Sequence, residues 1–271
     1  MTESVKIGFI GCGNMGGALA RAAAQSGYKP LLADANQELA STLANEIGGT
    51  VSTNDEIARN CSYIFLAVKP QVMGDVLGGI ADTLCERVQD KQLFALVSMA
   101  AGLNIASLRK MANGCSCPII RIMPNTPAGI GEGVILHCNE GASDRQTELF
   151  CDILSAAGML DSLPERLIDA ASAISGCGPA FVFEFIESLA DGAVDCGLPR
   201  DKAIRYAVQT VLGSAKLVEV TGEHPYQLRD KVCSPGGSTI EGVRALADGG
   251  MSSAVMQAVI AAYKRTLELG R

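Results

Sequence analysis

The chain has 271 residues, enough for one large domain or two smaller ones with a sizeable buried core, and 48% of them are hydrophobic against 19% charged. A net charge of −7 argues against a surface built for nucleic acid or anionic membrane, and 4% aromatics without tryptophan argues against a base-stacking platform. No uninterrupted apolar run approaches ~20 residues, and no basic stretch followed by an apolar one opens the chain, so the expectation is a cytoplasmic protein with no membrane span and no export signal.

Residues 5–10 form a short apolar run that leads at once into Gly11-Cys12-Gly13-Asn14-Met15-Gly16. A strand followed directly by G-x-G-x-x-G and an Ala-rich helical segment is the phosphate grip of a dinucleotide-binding fold. The first glycine permits the tight turn, the second lets backbone approach a pyrophosphate, and the third lets the helix pack on the strand. Ile10, Gly11, Cys12, Gly13, Asn14 and Met15 are therefore expected to line the cofactor. Further apolar runs follow at 30–34, 63–68, 93–98, 118–123 and 133–138, with helical patterns between several of them, such as Glu38 to Ile47. Short continuous runs of this kind are expected of parallel strands covered on both faces, so the prediction over 1–162 is an α/β doubly wound Rossmann domain.

The second run ends at Asp34, eighteen residues past Gly16, where an acidic side chain accepts hydrogen bonds from the ribose hydroxyls and repels a 2′-phosphate. No Lys or Arg follows in Ala35-Asn36-Gln37, so the pattern favours NADH over NADPH; Asp34 as a simple helix N-cap is compatible with either. The third run ends in Ala67-Val68-Lys69-Pro70, and the carboxyl ends of such strands face the ligand crevice, which would put Lys69 near the cofactor; a surface lysine is the alternative. The fourth closes with the small residues of Val97-Ser98-Met99-Ala100-Ala101-Gly102, which would let a nicotinamide lie close to backbone. The fifth leads into Met123-Pro124-Asn125-Thr126-Pro127, a rigid polar turn.

After Pro164 the pattern becomes helical, with stops at Gly197, Gly222 and Gly270 and a proline at 199 where a helix would start. The expected second domain, 163–271, is all-α. Along 181–195 the polar residues Glu184, Glu187, Ser188, Asp191 and Asp195 form one narrow stripe. The remainder is apolar, which fits either a central core helix or a helix buried against a second subunit. Ten cysteines contain no C-x-x-C pair and the two histidines, His137 and His224, are isolated, so small buried thiols are expected and no metal site. Within Val232-Cys233-Ser234-Pro235-Gly236-Gly237-Ser238-Thr239-Ile240-Glu241, Ser238 and Glu241 match a capping box at a helix start. That N-terminus is either a carboxylate site or an ordinary capped end.

Taken together, FIGCGNMG (9–16), AVKP (67–70), VSMAAG (97–102), MPNTPA (123–128), SGCGPAF (175–181), GLPRDKA (197–203) and SPGGSTIEGV (234–243) resemble the pyrroline-5-carboxylate reductases across residues 5–250. The resemblance implies NADH- or NADPH-dependent reduction of the cyclic imine 1-pyrroline-5-carboxylate to L-proline, the last step of proline biosynthesis. It also implies a helical domain that forms at least a dimer and, in many members, rings of dimers. It further implies that Ser234, Gly236, Gly237, Ser238 and Thr239 bind substrate, the N–H groups of Gly237, Ser238 and Thr239 holding its carboxylate and the Thr239 hydroxyl lying near the ring nitrogen. Lys69 and Pro70 would line the nicotinamide side, Ala67 and Val68 touch the cofactor, and Met99, Ala100 and Ala101 back the nicotinamide. Asn54 would reach the adenine–ribose region, and Glu165 and Lys231 would contact substrate or a neighbouring subunit. Thr239 and Lys69 are the catalytic candidates. Two departures stand out: Asp34 replaces a small polar residue of many relatives, and Cys177 and Cys233 stand where Ser is frequent. A β-hydroxyacid dehydrogenase would carry a lysine in the helix opening its second domain, and 170–190 contains none. A non-catalytic dinucleotide sensor would not need AVKP and SPGGST together.

Overall fold

The computed structural model describes residues 5–269. Its first part alternates strand and helix. In chain order these are β1 (Ile7–Ile10), α1 (Asn14–Gln25), β2 (Leu31–Ala33), α2 (Gln37–Ile47), β3 (Thr50–Val51), α3 (Asn54–Asn60), β4 (Tyr63–Leu66) and α4 (Pro70–Gln89). They continue with β5 (Ala95–Ser98), α5 (Ile105–Met111), β6 (Ile119–Met123), β7 (Gly133–Glu140), α6 (Asp144–Ile153), β8 (Gly158–Ser162) and α7 (Glu165–Ser175). The eight strands form one sheet in the order β3-β2-β1-β4-β5-β6-β7-β8. The order reverses beside β1, which leaves a crevice at the carboxyl ends of β1 and β4, the ligand position of a doubly wound sheet.

Alternation along the strands divides the core into two layers. Phe9 and Phe65 stack at 4.3 Å between centroids and pack with Leu19, Leu43 and Phe150 on one face. Ile64, Leu66 and Leu96 meet Met73, Leu77, Leu108 and Ile168 on the other. Burial on both faces explains the continuous apolar runs. One expectation is corrected: β7 runs antiparallel to β6, because the connection is a tight turn containing a 3-10 segment, Thr126–Ile130, and cannot hold a crossover helix. β3 and β8 are additional strands. The first is two exposed residues, and the second pairs parallel with β7 at the sheet's outer edge.

The second part is helical: α8 (Gly178–Asp195), α9 (Arg200–Thr221), α10 (Pro225–Val232), α11 (Ser238–Asp248) and α12 (Met251–Leu269). Contacts group the chain into Met1–Cys177 with Ala262–Arg271, and Gly178–Ala261. A boundary at 162/163 falls ahead of α7, whereas α7 packs on the sheet through Ile168. In the helical unit the buried cluster is only Ala190, Ala203 and Ala207, with Ile186, Val194 and Ile204 beside it. Ala190 alone is buried on α8, and Phe183 is 63% exposed, so α8 is not the core helix of a single chain. The stretch Glu165–Asp195 spans 31 residues with mean hydropathy 1.2 in its most apolar window, long and apolar enough by length and composition to cross a bilayer. The core helix of a soluble protein meets the same criterion, so length and composition alone do not make α7 and α8 a membrane span. Isolated charges such as Glu184 interrupt any purely apolar run without making the whole stretch polar.

Candidate active site

The glycine turn has the geometry its spacing predicts. Gly11 sits at φ +104°, where a Cβ would lie 2.5 Å from the Ala67 carbonyl oxygen, and a Cβ on Gly16 would lie 2.3 Å from the Gly11 oxygen. The first position needs the conformation and the third the closeness of helix to strand. Gly13 differs: a Cβ there meets no protein atom within 4 Å. Gly13 is exposed, so the backbone here is open to approach. Gly13 is also the N-cap of α1 and no side chain caps that helix, whose first turn carries no acidic residue. Its leading N–H groups are thus left for an anion.

Asp34 follows β2 and leans over the same turn. One carboxylate oxygen accepts the Cys12 N–H at 2.6 Å and the other accepts the Asn36 N–H at 2.8 Å. The N-cap of α2 is Asn36, which accepts from the Glu38 N–H, so Asp34 is not that cap. A cleft of about 440 Å³ lies beside it, lined by Gly11, Asp34, Thr53, Asn54, Val68 and Val72 among others. Asn54 opens α3 inside the Thr53–Glu56 capping box and lines the cleft. Burial, then the Asp34 charge, pushes the Cys12 thiol up to about 11, so it is a neutral wall of this turn.

Ala67 and Val68 follow β4. Lys69 is the exposed N-cap of α4, with Pro70 at the first helical position. Met99, Ala100 and Ala101 follow β5 in a segment whose far end is tied down by Glu165: the Ile105 N–H donates to Glu165 Oε1 at 2.7 Å. Arg121 of β6, its side chain 3% exposed, pairs with Glu165 at 3.5 Å and with Asp169 at 2.5 Å, and its Nε has no partner. Glu165 is therefore engaged within its own chain. Sequence reasoning missed Arg121 and Asp169, although an arginine inside the apolar run Ile119-Ile120-Arg121-Ile122-Met123 was the available signal, since a buried charge requires a partner. Asn125 of the Pro-rich turn is also structural. It donates to the Ser175 carbonyl at 2.9 Å and accepts the Val134 N–H at 2.8 Å.

In the helical unit, Ser234 to Gly237 make a turn closed by the Gly237 N–H to the Ser234 carbonyl at 3.0 Å, with Gly236 at φ +69°. Gly237 is the N-cap of α11 and no side chain caps the helix. The capping box expected of Ser238 and Glu241 does not form. The helix begins at Ser238 itself, one residue earlier than a Ser cap requires, and Glu241 pairs with Arg244 at 2.5 Å instead. The first N–H groups of α11 and the exposed Ser238 and Thr239 are left without a capping side chain, the arrangement a carboxylate would use. Lys231 pairs with Glu223 at 2.5 Å. All ten cysteines are free, and no group of three or more His, Cys, Asp or Glu has metal-holding geometry among the described residues.

A doubly wound sheet whose first crevice holds an open glycine turn, an uncapped helix N-terminus and a fixed acidic residue has the frame of a dinucleotide-binding protein, and the similarities of the chain make it a nicotinamide-dinucleotide oxidoreductase. Residues 6–102 match the family model described as NADP oxidoreductase coenzyme F420-dependent, and residues 165–269 match that described as pyrroline-5-carboxylate reductase dimerisation. The chain is 40% identical to a pyrroline-5-carboxylate reductase of Synechocystis sp. over 99% of both proteins. It is 38% identical to that of Glycine max over 98% of this chain and 97% of the relative. A pyrroline carboxylate reductase from Plasmodium falciparum, solved with NADP bound, superposes with a TM-score of 0.85 at 35% identity over the whole of both chains. The chain belongs to the pyrroline-5-carboxylate reductase family.

Proposed function

We propose that this chain reduces 1-pyrroline-5-carboxylate to L-proline with a nicotinamide dinucleotide, as the last step of proline biosynthesis. The observation that carries the reading is the open volume at Gly13 below the uncapped N-terminus of α1, in a chain alike end to end to reductases of this substrate. When bound, the dinucleotide supplies the hydride that C5 of the imine accepts. The N–H groups of α1 hold its pyrophosphate, Asp34 and Asn54 its adenosine half, and Ala67 to Pro70 with Met99 to Ala101 line its nicotinamide half. The α11 N-terminus, from Gly237 to Thr239 with Ser234 and Gly236 shaping the turn, holds the substrate carboxylate. Thr239 offers the ring nitrogen a hydroxyl rather than an acid, so the imine binds already protonated and orientation carries most of the rate. Lys69 contributes positive charge at the nicotinamide side.

NADH is the preferred reductant in this reading. Backbone N–H groups of Cys12 and Asn36 fix the Asp34 carboxylate at the crevice, where it would repel a 2′-phosphate. The helical unit self-associates at least to a dimer, and dimers close further into rings. The exposed Phe183, Leu212 and Val220 and the match to a dimerisation model support a second copy, rather than lipid, as the cover for its apolar surface. Ten free cysteines suit a reducing cytoplasm.

The test is a spectrophotometric assay of NADH and NADPH loss with 1-pyrroline-5-carboxylate. The expected result is turnover with a higher kcat/KM for NADH. Asp34→Ser should move the ratio toward NADPH by roughly tenfold, about 1.4 kcal/mol. Absence of turnover with both cofactors would overturn the reading, and an unchanged ratio in the variant would overturn the role of Asp34.

A further inference from the structure

We propose that Arg121 and Glu165 are positioning residues: together they set the two ends of the Met99–Asn104 segment and hold that segment against the nicotinamide end of the bound dinucleotide. The inference rests on the dinucleotide-binding part of the reading above and deepens it. In a doubly wound sheet one half receives the adenosine, here β1 to β3 with Asp34. The nicotinamide falls to the other half, at the carboxyl ends of β4 and β5. Residues 99–104 leave the sheet directly from the carboxyl end of β5.

The segment holds itself weakly. Met99 N–H reaches the Leu66 carbonyl at 3.4 Å, Ala100 N–H the Ser98 hydroxyl at 3.4 Å, and Leu103 N–H the Ala100 carbonyl at 3.5 Å. These are long for N–H···O bonds. Its ends are held differently. Ser98, immediately before it, stands opposite Arg121 in the β5–β6 register. Ile105, immediately after it, donates its N–H to Glu165 Oε1 at 2.7 Å, and the same oxygen faces Arg121 Nη1 at 3.5 Å. Arg121 is itself fixed by Asp169 at 2.5 Å and by burial. The near end of the segment is thus set beside the backbone of Arg121, and the far end by the carboxylate that the Arg121 side chain faces. Ile105 is the first residue of α5, whose N–H has no intrahelical partner, so Glu165 is the acceptor that sets where the segment ends.

The test separates positioning from general damage by comparing two ligands in equilibrium binding to the full chain: NADH, and ADP-ribose, which lacks the nicotinamide. Glu165→Ala should weaken NADH about tenfold, the size of a lost hydrogen bond to a charged group, and leave ADP-ribose within about twofold. Glu165→Gln restores an oxygen acceptor for Ile105 N–H and should recover most of the loss. Ile105→Pro removes the donor at a helix position that tolerates proline, together with a buried side chain, so it is read against Ile105→Ala, which trims that side chain and keeps the N–H; only the proline variant should reproduce the selective NADH defect if Glu165→Ala fails to fold. Equal weakening of both ligands, or unchanged NADH affinity, would overturn the proposal. So would a rise confined to the KM for the imine, which is the result expected of a direct substrate contact. The binding arms need no imine, so wild-type protein that binds NADH yet does not turn over the imine defeats the substrate assignment and leaves this proposal standing. Wild-type protein that binds neither nucleotide defeats both.

Discussion

The sheet unit and the helical unit are built from similarly apolar sequence but differ in what they bury. In the sheet unit, Phe9, Phe65, Phe94 and Phe150 are all at most 2% exposed, and helices cover both faces. In the helical unit the fully enclosed side chains are three alanines, while Phe183, Leu212 and Val220 are 63%, 60% and 72% exposed. Burial of apolar surface is the main favourable term in folding, so the first unit can stabilise itself and the second requires a partner surface. The proposed ligand site at α11 would then depend on association for its rigidity, whereas the glycine turn at Gly11 would not.

The largest expected effect breaks this contrast at its weaker side. Phe183→Glu places a charge on the exposed apolar face of α8 and should weaken self-association by roughly thirtyfold or more, about 2 kcal/mol, as for truncation of an interface anchor. Sedimentation velocity across a concentration series reads it directly. The wild-type helical unit should also melt at a temperature that rises with protein concentration, and the variant should lose that dependence. Variant and wild type sedimenting alike would mean that α8 is not part of the interface.

A second pair of variants separates two roles within the sheet unit. Gly16→Ala puts a methyl 2.3 Å from the Gly11 oxygen and 2.7 Å from the Ala67 Cβ, so it should cost about 1–3 kcal/mol or more by overpacking. Gly13→Ala meets no protein atom and should melt with the wild type, yet lose at least tenfold in NADH affinity, about 1.4 kcal/mol, because its methyl enters the anion volume. Thermal melts beside NADH titrations check both. A Gly13→Ala protein with unaltered affinity would mean that the pyrophosphate lies elsewhere.

What could be read from the sequence was what local chemistry dictates. The strand–glycine–helix turn, the apolar strand runs and the helix stops at Gly197 and Gly222 are signals within a few residues, and each helix or turn formed where its signal lay. The parts that could not be read depend on partners distant in the chain. β3 is two residues held only by β2. The direction of β7 follows from a connection too short for a crossover. Glu165 has an acceptor role that only the fold reveals, because its donor, Ile105, is 60 positions away. The capping box on α11 failed by one residue, since S-x-x-E fits the sequence equally well whether Ser238 precedes the helix or begins it. Resemblance supplied the proposed role of Thr239, whereas Lys69 is already marked by its place at the carboxyl end of a strand run.

The smallest expected effect tests how self-contained the sheet unit is. His137 of β7 is 3% exposed, packs edge-on to Phe150 at 5.4 Å, and has an unpartnered Nδ1, with only the Cys151 thiol near Nε2 at 3.8 Å. Burial lowers its pKa, and nearby Asp161 offsets part of that. The unfolded chain, with histidine near 6.5, therefore takes up a proton at a pH where the folded chain stays neutral. Stability from this residue is fully present above about pH 6.5 and is lost as pH falls through the lower folded value. The melting temperature of the sheet unit should decline between pH 7 and pH 5, and His137→Gln, which carries no titrating ring, should show a shallower decline from its own starting point. Because the sheet unit does not draw this stability from a partner, the slope should be the same at every protein concentration. Parallel declines in wild type and variant would assign the acid sensitivity to other groups, and a slope that varied with concentration would mean that association reaches into the sheet unit as well.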